Sequence, residues 1–99
     1  MILYNITFNT EKSVEKVWTA WMNERYIPAV AQSEYIKEYK FLRMMHDSQS
    51  EGETYALQLF VDDLAELETC FEKNSSILAE LTTKFGNKVV SFATMLEEI

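Results

Sequence analysis

The chain is predicted to fold as an α+β sandwich of order β-α-β-β-α-β. Its hydrophobic period runs as two residues, then 3.6, then two and two, then 3.6, then two again. Two glycines and one proline in 99 residues leave few breaks, so the elements should be long and the turns short. That length, at 47% hydrophobic residues, supports one core and one domain spanning residues 1–99.

The first strand reads ILYNITFN, with Ile2, Tyr4, Ile6 and Phe8 on one face and Leu3, Asn5, Thr7 and Asn9 on the other. Thr10 or Ser13 suits a helix cap, and Glu11 and Glu15 suit the positive end of the helix dipole. Val14, Val17, Trp18, Trp21 and Met22 follow at helical spacing. Pro28 lacks a backbone donor, so the helix should kink or stop near residues 25–27, and PAVAQS can start a second piece.

The second strand is expected from about Ile36 to Asp47, an edge strand interrupted by Glu38, Lys40 and Arg43. A polar loop, Ser48 to Gly52, turns the hairpin into a third strand, Thr54 to Val61. Asp63 with Glu66 forms a capping-box pattern. Leu64, Phe71, Leu78 and Phe85 then recur every seven residues, interleaved with Leu67, Asn74 and Leu81, which predicts one long helix. Gly86 is placed to end it as a left-handed cap, and KVVSFATML makes the last strand.

The resulting fold is ferredoxin-like, an antiparallel sheet of order 4-1-3-2 with two helices on one face. The covered face is expected to hold Ile2/Tyr4/Ile6/Phe8, Tyr55/Leu57/Leu59/Val61 and Val90/Phe92/Leu96. The opposite face then holds Leu3/Asn5/Thr7, Ala56/Gln58/Phe60 and Val89/Ser91/Ala93/Met95. That second face is too apolar for an ordinary wet surface and implies a partner, read as a second copy of the chain.

Sixteen acidic against nine basic residues give a formal charge of −7, which opposes nucleic-acid binding and anionic membranes. The exposed strand positions also lack the paired aromatics of RNA-recognition sheets. The single Cys70 excludes an internal disulfide and a CxxC site, and its helical stripe suggests packing. With no leader and no apolar run near the ~20 residues of a membrane span, the chain reads as soluble and cytoplasmic.

The segments VWTAWMNERYIPAV, TYALQL and FGNKVVSFATMLEEI, after an opening MILYNIT, resemble a family of uncharacterised bacterial domains common in Bacteroidetes. The resemblance covers nearly the whole chain. It implies a ferredoxin-like fold similar to the dimeric α+β barrel superfamily, and no established activity. Members often carry His where this chain has Tyr26, so no role resting on an imidazole there carries over.

The candidate binding residues are Trp18, Trp21, Tyr26, Asn5, Gln58 and Ser91. Trp18 and Trp21 at i, i+3 suit seating the helix on the sheet, or lining a pocket for a planar molecule. Tyr26 can pack at the Pro28 corner or present a phenol to a ligand, with Arg25 beside it solvated or attracting an anion. Asn5, Thr7, Gln58 and Ser91 suit bridging hydrogen bonds between subunits, or a shared cavity.

His46 stands alone and is expected to be a solvated hairpin residue, not a metal ligand. No catalytic set converges in the sequence, and neither a cofactor nor a metal is expected. The reading is a small homodimeric module binding a small molecule or protein partner through its sheet. An oxygenase or isomerase of the dimeric-barrel kind is the alternative, resting on fold analogy. Haem-degrading members of that superfamily use an Asn, a Trp and a helix-borne His; Asn5 suits the first role, but the second helix has no His.

Overall fold

A computed structural model describes residues 1–45 and 52–99. Four strands form one antiparallel sheet: β1 (Ile2–Glu11), β2 (Glu38–Arg43), β3 (Gly52–Val61) and β4 (Val89–Glu97). Their order is β2-β3-β1-β4, the expected 4-1-3-2 read from the other edge. β1 lies between β3 and β4, with Ile6 opposite Leu57 on one side and Ala93 on the other.

The first helical stretch runs on through Pro28. Helix α1 (Glu15–Trp21) widens into a π-helical turn (Met22–Tyr26) and continues as α2 (Ile27–Ala31). The Ile27 N–H reaches back five residues to the Met22 carbonyl. The wider turn seats the proline ring in the first turn of α2, where its missing N–H leaves no gap.

Neither Thr10 nor Ser13 caps α1. β1 extends to Glu11, a turn closes with the Val14 N–H on the Glu11 carbonyl, and Val14 stands at the cap without a side-chain bond. Thr10 is instead buried in β1, its hydroxyl without a partner among the described residues. The start of α1 is pinned from β3, where the buried Tyr55 hydroxyl donates to Glu15 Oε2 at 2.5 Å. Burial, then this charged acceptor, push the Tyr55 phenol up to about 12.

The expected single long helix is two, α3 (Leu64–Lys73) and α4 (Ser75–Phe85). Asn74 breaks it because its side-chain amide donates to the Cys70 carbonyl at 2.8 Å, competing with the helical ladder. The apolar register survives since the Leu78 N–H bonds to the Asn74 carbonyl, so the phase passes the break unchanged. Asp63 caps α3 as expected, accepting from the Glu66 N–H at 2.9 Å. Gly86 follows α4 at φ 57° and ψ −135°, a left-handed φ as expected but with an extended ψ, and a short 3₁₀ turn (Gly86–Lys88) leads into β4.

β2 is the expected edge strand but shorter, with Ile36 in the turn before it. The predicted hairpin loop and the end of the predicted second strand fall largely at residues 46–51, outside the described residues.

The helices cover β1 and β3. Ile6, Phe8, Leu57, Leu59 and Val61 meet Trp18, Met22, Val30, Leu67 and Cys70 in the core, where the Cys70 thiol points to the Val30 carbonyl. On β4 the expected faces are exchanged. Phe8 lies opposite Ser91 and Tyr4 opposite Met95, so Val89, Ser91, Ala93 and Met95 share the helix side. Val90, Phe92 and Leu96 lie on the open face, each at least half exposed. The helices stop short of β4 and bury only Val89, so burial does not sort its two faces by size.

Candidate functional site

The sequence-derived candidates divide among three places. Trp18 lies in the core, fully buried, its ring 5.0 Å from Tyr55 and 5.2 Å from Phe8. Its indole N–H has no partner among the described residues. Trp21 is buried beneath α4, where its N–H donates to Glu80 Oε1 at 3.0 Å. Arg25 grips the same carboxylate from outside with two bonds of 3.0 and 2.9 Å. The arginine first, and the indole second, hold the Glu80 carboxyl below its usual range.

Because that pKa is depressed on folding, the Glu80 contribution to stability is full above the ordinary value of 4.5. It is lost as pH falls through the lower folded value. Glu80→Gln is therefore expected to lower the urea midpoint at neutral pH. The gap from wild type should close progressively in midpoints measured below that ordinary value.

Asn5 and Gln58 lie directly opposite each other on the open face. Gln58 Nε2 donates to Asn5 Oδ1 at 3.3 Å, and Asn5 Nδ2 donates to Thr7 Oγ1 at 3.1 Å. They form a polar row, Lys40–Gln58–Asn5–Thr94, running across all four strands. On one side runs the row Leu42–Ala56–Thr7–Phe92, and on the other Glu38–Phe60–Leu3–Leu96. A shallow depression of about 270 Å³ opens there between Met1, Leu3, Phe60 and Leu96, with Glu97 and Glu98 at the strand end also lining it.

Tyr26 and Ser91 lie together on the helix side, separated from Asn5 and Gln58 by the sheet. Ser91 was expected beside Asn5; the exchanged faces of β4 place it across the sheet from that position. Where α4 leaves β4 uncovered, a groove of about 360 Å³ runs between them, within the 300–1,000 Å³ usual for ligand sites. Its walls are Tyr4, Tyr26, Phe71, Leu78, Leu81 and Ala93, with Ile6, Phe8, Thr82 and Ser91 also contributing. The Tyr4 ring leans on Phe71 at 5.3 Å, and Tyr26 meets Phe8 edge-on at 6.2 Å and Trp21 at 5.7 Å. Burial, then the neighbouring Tyr4 and Cys70, push the Tyr26 phenol up, so it remains a protonated donor.

The sequence reading missed Tyr4, Phe71, Leu78 and Leu81 as groove residues, because their spacing is also that of a core stripe. Their half-burial is the difference, and no sequence pattern reports how far α4 reaches across the sheet. A wider concavity of about 590 Å³ at the end of the sheet is lined by polar and charged groups such as Lys12, Ser13, Asn87 and Lys88, with Val90 its one apolar side chain. His46 lies outside the described residues. Among the described residues, no three His, Cys, Asp or Glu side chains cluster as a metal site would require. Among them also, no helix is long and apolar enough to cross a membrane.

Residues 1–99 match the family described as a domain of unknown function, DUF4286. No curated protein matches the chain. Among solved structures it is similar to an ethyl tert-butyl ether D (EthD) family protein of Bacillus halodurans, at 14% identity and TM-score 0.74 with both chains fully covered. HapK from Hahella chejuensis is similar at 11% identity and TM-score 0.72, with 100% and 93% covered. A dimeric ferredoxin-like protein from an uncultured marine organism gives 12% identity and TM-score 0.63, with 99% and 97% covered. At such identities the likeness establishes the ferredoxin-like α+β fold.

Proposed function

The chain belongs to the DUF4286 family, and we propose that it is a homodimeric, cytoplasmic binding module of one domain, residues 1–99. Its open sheet faces pair with each other, and the groove on the helix side receives a small molecule. The observation carrying this reading is the open face itself. It presents Leu3, Phe60, Val90, Phe92 and Leu96 around a polar row in which Gln58, Asn5 and Thr7 hydrogen-bond one another within the protomer.

A chain of net charge −7 has only Glu38 and Lys40 as charges in the three rows of this face, both on β2. A second copy suits such a surface, since two acidic chains meet best where neither carries excess charge. In projection four strands by four positions cover on the order of 500 Å². Accessible area exceeds projection, and a stable dimer buries about 800 Å² per partner. A neighbour of the same fold is dimeric, which supports a dimer here. The groove lining is phenols, aliphatics and small hydroxyls, a set suited to holding a molecule. The buried, unpaired Cys70 agrees with a reducing compartment.

Light scattering coupled to size exclusion tests the pairing. Wild type is expected to elute as a dimer, and the double variant Val90→Asp/Leu96→Asp as a folded monomer, its circular dichroism unchanged because both sites are half exposed. A wild-type monomer at every concentration, or a variant that still dimerises, would overturn the sheet-paired arrangement.

A further inference from the structure

Resting on the groove reading above, we propose that its ligand is an uncharged, flat, largely apolar molecule whose carbonyl oxygen accepts a hydrogen bond from the Tyr26 hydroxyl. The lining residues include no Asp, Glu, Lys or Arg, so nothing in the groove balances a charged group. The aromatic residues Tyr4, Phe8, Tyr26 and Phe71, with Leu78 and Leu81, give a lining that suits a planar body.

Tyr26 is 3% exposed, yet its hydroxyl makes no hydrogen bond to any described residue while its side chain lines the groove. Unlike Thr10 Oγ1 and Trp18 Nε1, this hydroxyl is not sealed from solvent, so an acceptor arriving in the groove can reach it in place of water. The residue is delivered there by the π-helical turn, whose extra width sets Tyr26 at the junction with α2, against Phe8 of β1. The phenol keeps its proton and so can donate, and a carbonyl oxygen is an uncharged acceptor that suits it.

Three matched probes separate the parts of this proposal: 2-acetylnaphthalene, 2-ethylnaphthalene, which lacks the acceptor, and 2-naphthoate, which adds a charge. Each is titrated into the intact protein and followed by amide chemical shifts. The expected result is that 2-acetylnaphthalene perturbs Tyr4, Leu81, Ser91 and Ala93, and binds about 5- to 10-fold tighter than 2-ethylnaphthalene, as one neutral hydrogen bond supplies. The naphthoate should leave these amides unmoved. Tyr26→Phe keeps the ring and loses no internal bond, so it should fold normally and bind the two neutral probes equally.

If 2-ethylnaphthalene binds as well as 2-acetylnaphthalene to wild type, or if Tyr26→Phe keeps the preference, the Tyr26 assignment is overturned while the groove stands. If all three leave the groove amides unmoved, or shift instead those of Leu3, Phe60 and Leu96 on the open face, the groove reading falls with it.

Discussion

Replacing Trp18 with alanine is expected to remove about 3–5 kcal/mol of folding free energy, the range for truncating a fully buried tryptophan. The ring lies among Phe8, Phe41 and Tyr55 at centroid distances of 5.2, 5.9 and 5.0 Å. It therefore joins α1 to three of the four strands, and no neighbour can collapse into the space without breaking another contact. A domain of this size holds about 5–15 kcal/mol in total, so the variant should be close to unfolding at 37 °C.

Trp18→Phe separates packing from polarity. It also leaves a void, but it removes an indole N–H that is buried without a partner, a burden of about 1–3 kcal/mol. It should therefore fall well short of the alanine loss in urea unfolding. Equal losses for the two variants would show that the orphan N–H is no burden.

The second large effect is expected at Gly52, the first residue of β3, paired with Glu11. A β-carbon built there would lie 2.2 Å from the Thr10 carbonyl oxygen, a backbone atom that no rotamer change can move aside. Gly52→Ala must part the ends of β1 and β3, and overpacking of this kind is unfavourable by about 1–3 kcal/mol. Amide exchange should locate the damage. Protection is expected to fall at residues 52–54 and 9–11 first, while Leu57 and Ile6 in mid-sheet exchange as in wild type. An alanine variant as stable as wild type would mean that the strand ends yield without loss.

The strand order was legible because alternation over eight or more residues has few rival explanations. Pro28 and Asp63 were legible because each acts locally, through a missing donor and a side-chain cap. The phase of β4 was not. Val89 and Val90 begin it as an apolar pair, so the sequence offers both faces, and a general preference for burying bulk favours Val90, Phe92 and Leu96. That preference fails where a sheet is covered on one side only over part of its width. The site suffered the same way, since Ser91 was grouped with Asn5 and Gln58 through that phase. The break at Asn74 escaped because an apolar register records which face a helix buries, not whether its backbone is continuous. Tyr26 was singled out for its place beside Pro28, but the groove around it depends on where α4 ends, which is a tertiary fact.

Consecutive residues of β1 serve different masters. Tyr4 stands in the groove wall and Asn5, next along the chain, in the polar row of the open face. The strand is thus written in two interleaved scripts, odd positions for one surface and even positions for the other. Point substitutions edit one script at a time. A single-residue insertion in mid-strand would transpose both at once on one side of it, exchanging the residues that face the helices with those that face the open side. Length in this strand should accordingly be far less tolerant of change than identity.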